Sequence, residues 1–542
     1  MSVYDGSPAF QVIVLGSAGG PSESNVSGYL IRSTATAWAK GSVLAVDAGT
    51  HLAGIIRILE EHNGSWRADS PGTEGSSVTM STSDSNGVAK RPFPFVGADL
   101  PFDTPRANAV YVTRELVSTY LITHPHLDHL SGLVINTASF TQTKCPKRIA
   151  SLPTTIEAIK THIFNDVIWP NLSDEGCGVG LVTYQRLPVA ASEYVEVSKG
   201  LSVQAWPISH GHCMNTHSHR GSISAGAERS PGGTVKRMCV YDSAVFFIRD
   251  EATKQEAMMW GDVEPDSLSL SPRNHPAWDQ AAIKFHQGLL GTIFIECSYD
   301  CCQPDRALYG HLNPPHLLEE LKVLAGRVVA LRAQEERDRR NHRKRKRVSQ
   351  GYMGDLDLTS KRSMNINHFE GFLQGEGNQY QWSQENSTIG EANSNGGGIW
   401  NSDANINRRV SKGSRQSGTN TPDPSKIMEF DQDYLLPQLS PKSLGNRNNG
   451  VDTVSMAVGQ RTPEEITPLL KQHLPSSAAI SAGILGHEPL KGLHLVITHV
   501  KDTLQDDVDV AANILRSLER LEKEQMLGCT FSLSEQGGTF YF

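Results

Sequence analysis

No apolar stretch in this chain is long enough to span a bilayer, and no basic segment followed by an apolar one opens it. A membrane span and a secretory leader are therefore not expected. The reading is a soluble intracellular protein, placed in the cytoplasm. Cysteine is sparse: there are eight in 542 residues, without regular spacing, and Cys301 and Cys302 are adjacent. A disulfide framework and a CxxC motif are thereby excluded as organising features, and free thiols in a reducing compartment are expected. Basic residues are not in excess either. Fifty Lys and Arg against 58 Asp and Glu leave a net charge of -8, which argues against a general nucleic-acid binder.

What is present is ample material for a core, since 38% of the residues are hydrophobic. Yet 48 glycines and a negative mean hydropathy assign much of the chain to loops. One to three domains fit this length. Residues 63–88 are rich in Ser, Thr, Gly and Asp with no apolar period, and are expected to form a disordered insertion. A second change of composition begins near Arg332. Residues 333–465 read as a low-complexity insertion rich in Asn, Ser, Gly and Gln, so 1–332 and 466–542 are expected to be two parts of one domain. Order is expected to return at Thr462-Pro-Glu-Glu. The basic run Arg343–Arg347 has two readings, a solvated charge cluster and a nuclear-import signal.

Between these breaks the apolar runs mark strands: Phe10–Leu15, Ser27–Ile31, Val43–Val46, Leu201–Ile208, Leu290–Glu296 and Leu493–Thr498. Val240–Ile248 and Ala257–Trp260 suggest an antiparallel pair, and Cys213–Lys236 a loop insertion. Ile156, Ile159, Ile163 and Val167 predict an amphipathic helix over Thr154–Trp169. Asn313 followed by Pro314 marks a helix start, with Leu317, Leu321 and Leu324 as its buried stripe. A last helix is predicted over Asp506–Lys523.

The densest chemistry lies in Thr123-His-Pro-His-Leu-Asp-His129, directly after the strand end Tyr120-Leu121-Ile122. Three imidazoles and a carboxylate within six residues form a donor set for zinc-like ions. In an extended segment His124 and His126 point the same way, which leaves Leu127 to turn toward the core. Asp128 and His129 fall on the following turn. Single histidines or acids also follow other predicted strands, at His210, Asp262 and His499.

His-x-His-x-Asp-His after a strand resembles the signature of the metallo-β-lactamase fold. The longer segment His124–Ala138 resembles that of class II cyclic-nucleotide phosphodiesterases, with Thr137 where that signature has serine. Pro21-Ser-Glu-Ser-Asn25 and Asp47-Ala-Gly-Thr50 match the same family, in the role of shaping the site floor. The resemblance implies an α/β fold, an αββα sandwich, and hydrolysis of cyclic AMP or cyclic GMP to the 5′-monophosphate. It implies two divalent ions, zinc in the first place, with manganese and magnesium as alternatives. His124, His126 and His210 would hold one ion, Asp128, His129 and His499 the other, and Asp262 would bridge them. Asp128 would also orient the attacking hydroxide. Glu296 and His311 resemble the glutamate–histidine pair of RNase Z enzymes, and suggest a proton donor with its orienting partner. An equal reading makes His311 a support for the helix start at Asn313. His212, His217 and His219 are read as loop histidines. The expected partner is a small-molecule cyclic nucleotide, with neither nucleic acid nor membrane; oligomeric state is left open, a homodimer included. Alternatives are another hydrolase of the fold, acting on RNA or sulfate esters, and a non-enzymatic regulator that retains the fold.

Overall fold

The computed structural model describes residues 7–62, 92–190, 192–215, 225–229, 235–350, 488–505 and 508–542. Strands β1 (Phe10–Gly16), β2 (Gly28–Ser33), β3 (Val43–Ala48), β4 (Val117–Leu121), β5 (Lys147–Ser151) and β6 (Val182–Arg186) build one sheet. A second sheet holds β7 (Val195–Ser198), β8 (Leu201–Asn215), β9 (Ala225–Arg229), β10 (Val235–Asp250), β11 (Glu256–Trp260), β12 (Leu290–Glu296), β13 (His494–Thr498) and β14 (Thr530–Leu533). The last strand, β15 (Thr539–Tyr541), returns to pair with β1. The first sheet therefore runs β15-β1-β2-β3-β4-β5-β6 and the second β14-β13-β12-β11-β10-β8-β7, with β9 beside β10. Pairing is parallel from β3 to β6 and from β11 to β14.

The period of two explains how three apolar layers form from these strands. On β1, Phe10, Val12 and Val14 face the second sheet and meet Phe246, Ile248 and Phe294. Ile13 and Leu15 point the other way, into a layer with helices α1 (Leu52–Glu61), α2 (Pro105–Tyr111), α3 (Leu127–Asn136) and α4 (Pro153–His162). Both faces of β1 are buried, so it reads as a continuous apolar run instead of an alternating one. On the far side, Ile293, Ile295, Leu495 and Ile497 pack against α5 (Asn274–His286), α6 (Pro314–Gln350) and α7 (Val510–Gln525). Leu317, Leu321 and Leu324 of α6 and Ile514 and Leu518 of α7 are buried there. Each such side chain contributes about 1.5–3 kcal/mol relative to exposure, which is enough to set the face a helix presents. The result is the αββα sandwich of the metallo-β-lactamase fold. No described helix is long and apolar enough to cross a membrane.

Several expectations need correction. The helix predicted over Thr154–Trp169 stops at His162, and Val167 is 83% exposed. Asn165 Oδ1 accepts from the amides of Val167 and Ile168 at 3.0 and 2.8 Å, offering those amides a turn in place of a helix. Asp166, at φ 61°, completes the turn. The region read as a loop insertion is partly a ladder: β8 runs to Asn215, β9 lies within it and β10 begins at Val235. Helix α6 continues through Arg332 to Gln350, across the composition boundary. The 63–88 insertion, His217, His219 and the return of order at Thr462 lie outside the described residues.

Candidate metal centre

Strand β4 ends at Leu121, and after His126 the chain enters α3, so Asp128 and His129 stand in the first helical turn. Leu127, expected from alternation to turn toward the core, is instead 64% exposed, and Leu130 and Leu133 belong to the buried face of the helix. Gly132 lets this helix approach the end of β3. Its amide donates to the Gly49 carbonyl at 3.0 Å, and a Cβ there would sit 2.5 Å from that oxygen.

His210 does not follow a strand end but lies inside β8. The register shifts between Val240 and Asp242, which leaves His210 and Gly211 opposite Tyr241 alone. Gly211 takes φ +68°, and this bulge turns His210 into the site. Asp262, Glu296 and His499 stand at or just beyond the C-terminal ends of the neighbouring strands β11, β12 and β13. His499 has φ 58°, and its amide donates to Ser17 at 2.7 Å. Gly19 packs so closely that a Cβ would meet His499 Cε1 at 2.5 Å.

All seven residues singled out as ligands come together. His124, His126, His210 and Asp262 offer atoms within 4.8 Å of one another, as do Asp128, His129, Asp262 and His499. A third overlapping group joins His210 and Asp262 with Glu296 and His311. Asp262 is at the centre: its carboxylate lies 3.6 Å from His124 Nε2, 3.5 Å from His210 Nε2, and 3.3 Å from the Nε2 atoms of His129 and His499. Asp128 Oδ2 is 3.3 Å from His499 Nε2. His126, half-buried, holds its ring 4.6 Å from that of His124 and 5.0 Å from that of His210.

The outer ring nitrogens show where the lone pairs point. His210 Nδ1 faces the Gly310 carbonyl at 2.8 Å, and His129 Nδ1 faces Asp47 Oδ2 at 2.8 Å. Both partners can only accept, so each Nδ1 carries a proton and each ring turns its Nε2 inward. Thr123 Oγ1 donates to Asp47 and accepts from His124 Nδ1 at 3.1 Å. Ser298 Oγ donates to Glu296 and accepts from His499 Nδ1 at 3.0 Å. Four imidazole Nε2 atoms thus converge on one carboxylate, a point that calls for positive charge. His124 Nε2 is buried and has no hydrogen-bond partner. These residues fit a metal site by their donor chemistry and by this orphaned nitrogen.

Burial, reinforced by neighbouring imidazoles, holds the pKa of His124 well below its usual value and brings that of His210 down to about 3. Both therefore stay neutral, the form that ligates. Burial alone would raise Asp262, but His499, His129 and His124 outweigh it and hold the carboxyl well below the ordinary range. His129 goes the other way: burial lowers it, yet Asp262 and Asp47 together hold it well above the usual value. A proton on His129 and a divalent cation are alternative sources of the charge this point requires. Beside the cluster, His311 Nδ1 is 3.0 Å from Glu296 Oε1. Burial, then Asp262, pushes Glu296 up to about 7, while burial draws His311 down to about 4. Asn313 Oδ1 accepts from the His316 amide at 3.2 Å, so the helix start stands on Asn313.

Sequence reading missed the partners that hold the imidazoles. Asp47 was visible as Asp-x-Gly after a strand, but only as floor. Nothing in their sequence surroundings marked Thr123, Ser298 or the Gly310 carbonyl.

A sequence model of the cAMP phosphodiesterases class-II family matches residues 100–336 and 458–537. The 3′,5′-cyclic-nucleotide phosphodiesterase of Schizosaccharomyces pombe is 29% identical over 316 residues, 58% of this chain and 75% of the relative. A probable 3′,5′-cyclic-nucleotide phosphodiesterase of Yersinia pestis is 27% identical over 317 residues, 58% of this chain and 72% of the relative. The crystal structure of unliganded yeast PDE1 superposes with a TM-score of 0.53 at 18% identity, covering 99% of this chain and 100% of that one, a likeness of fold. With more than half of its length matched by the family's model, the chain belongs to the class-II cAMP phosphodiesterases.

Proposed function

We propose that this enzyme hydrolyses 3′,5′-cyclic AMP, with cyclic GMP as a second substrate, to the 5′-monophosphate inside the cell. His124, His126 and His210 would hold one divalent cation, Asp128, His129 and His499 a second, and Asp262 would serve both. The convergence of four imidazole Nε2 atoms on the Asp262 carboxylate supports this reading most strongly. Zinc suits a donor set of imidazoles and carboxylates; manganese and magnesium are the alternatives. When bound, such a pair supplies charge for the phosphoryl oxygens and lowers the pKa of a water.

The chain's own residues then have distinct tasks. Asp128 keeps about a quarter of its side chain exposed, so it is the acid able to orient an entering water. Gly310 and Asp47 fix the orientation of His210 and His129; His210 is already neutral, whereas His129, whose pKa Asp262 and Asp47 hold up, would have to lose its Nε2 proton before it ligates. Glu296, whose pKa burial raises to about 7, donates its proton to His311 Nδ1. His311 passes a proton from Nε2 to the departing ribose 3′-oxygen, and the pair returns to its starting state by taking a proton from solvent.

The test is release of 5′-AMP by purified protein, with metal content measured on the same sample. Asp262→Ala is expected to lower both metal occupancy and turnover, because that carboxylate faces both groups. Full activity after thorough demetallation would overturn the proposal. Turnover of RNA or sulfate esters in preference to cyclic nucleotides would move the assignment to another hydrolase of this fold.

A further inference from the structure

We propose that Lys501 binds a non-bridging phosphoryl oxygen of the substrate and of the 5′-monophosphate product. It is then a further catalytic residue of the reaction proposed above, on which this inference rests.

Lys501 follows His499 by two positions on the loop that leaves β13. Both ends of the residue are tied down. Its amide donates to the Ser298 carbonyl at 2.9 Å, and its Nζ donates to the Gly19 carbonyl at 2.6 Å. The ammonium therefore stands at a set place beside the metal centre instead of sweeping through solvent. It lies 3.9 Å from Asp128 Oδ2, outside hydrogen-bond reach. Among the described residues it is the only Lys or Arg paired with a carboxylate of the cluster.

An ammonium has three donors, and Gly19 takes one. A lysine kept only to neutralise Asp128 would close to hydrogen-bond distance; one kept only to pin the glycine loop would need no proximity to Asp128. Lys501 does neither alone. Its side chain remains 26% exposed and forms part of the wall of a cavity of about 490 Å³, with Ser17, Asn25, Asp509 and Ser534. None of the seven candidate ligands lines that cavity; it is the 3.9 Å approach to Asp128 that sets Nζ, with its remaining donors, beside the metal centre.

The chemistry accounts for a cation there. A cyclic phosphodiester is a monoanion. When a water oxygen bonds to phosphorus and its proton leaves, a second negative charge accumulates on the phosphoryl oxygens until the P–O3′ bond breaks. The 3′-oxygen takes a proton, and the product phosphate keeps the added charge. A fixed ammonium is thus worth more to the transition state and the product than to the substrate. Lysine serves this role as a point charge.

The experiment uses full-length, metal-loaded protein with Lys501→Met, Lys501→Gln and Lys501→Arg. It reads kcat/KM for cyclic AMP, inhibition by inorganic phosphate, and metal content. Loss of a hydrogen bond to a charged group corresponds to about a 10- to 100-fold effect. The Met and Gln variants should lose kcat/KM by that factor and need a similarly higher phosphate concentration for inhibition, with metal content unchanged. The Arg variant should recover most of the phosphate affinity. Unchanged phosphate inhibition in both neutral variants overturns the assignment even if turnover falls, since the loss is then structural. Loss of metal together with phosphate affinity also overturns it, and assigns Lys501 to holding Asp128 and the glycine loop. If wild-type protein fails to turn over cyclic AMP, the functional reading itself fails. If only the variants fail to differ from wild type, this inference alone fails.

Discussion

Asp47 Oδ2 accepts the Nδ1–H of His129 at 2.8 Å, joining a strand end to a helix start across 82 residues. Asp47 also takes the amide and hydroxyl of Thr123, at 2.8 and 2.9 Å, so one buried carboxylate orders both ends of the His124–His129 segment. It holds this place at φ 51°, a conformation costly for a residue other than glycine and kept by the packing around it. Asp47→Ala should therefore weaken metal binding by about 10- to 100-fold while the chain stays folded. Titration with zinc in a competing chelator reads this directly; unchanged affinity would show that helix packing alone orients His129.

His311 and Glu296 permit a sharper kinetic test, because their geometry suits either proton transfer or simple support. His311→Ala should slow cyclic AMP hydrolysis by about 10²–10⁴-fold at unchanged metal content, the range general acids contribute. A nitrophenyl phosphodiester needs no proton on its leaving group and should be much less affected. Glu296→Gln should give a weaker form of the same contrast. Equal losses on both substrates reject the acid role.

Outside the metal centre, His51 supplies a pH dependence. It is buried with Nε2 3.1 Å from Tyr120 Oη, and burial, then Lys147, lowers its pKa from 6.5 to about 3. Between those values the unfolded chain binds a proton that the folded chain refuses. Stability therefore falls as pH drops from 6.5 toward 3, by up to about 1.4 kcal/mol per pH unit. His51→Gln cannot titrate, so its urea midpoint should change less than that of the wild type between pH 7 and 5. Parallel curves for the two proteins would count against the assignment.

The two-part catalytic domain remains a proposal drawn from composition. Since α6 runs to Gln350, replacing residues 351–465 with a short Gly/Ser linker is the appropriate deletion. Turnover should be nearly unchanged. A large loss in folded, metal-loaded protein would show that the tract contributes to the site. If Arg343–Arg347 directs nuclear import, neutralising those five residues should move a fluorescent fusion out of the nucleus.

By itself the sequence determined those features that local spacing controls. Apolar runs marked β1, β12 and β13, and Asn313 with Pro314 marked the start of α6, because period and capping act within a few residues. The His124–His129 cluster was legible for the same reason: its donors are neighbours in the chain. What only the tertiary structure decided depends on register and approach between distant segments. His210 is aimed by a bulge set by pairing with β10, so the sequence showed a strand ending where it continues. The helix expected over Thr154–Trp169 stopped early because Asn165 offered its neighbours' amides a nearer partner. The bonds from Asp47 to His129, Ser298 to His499 and Gly310 to His210, and the stand-off of Lys501 from Asp128, span elements that meet only after both sheets pack. A local pattern can supply ligand types, but the direction of each lone pair is set by whichever backbone or side chain folding places behind the ring.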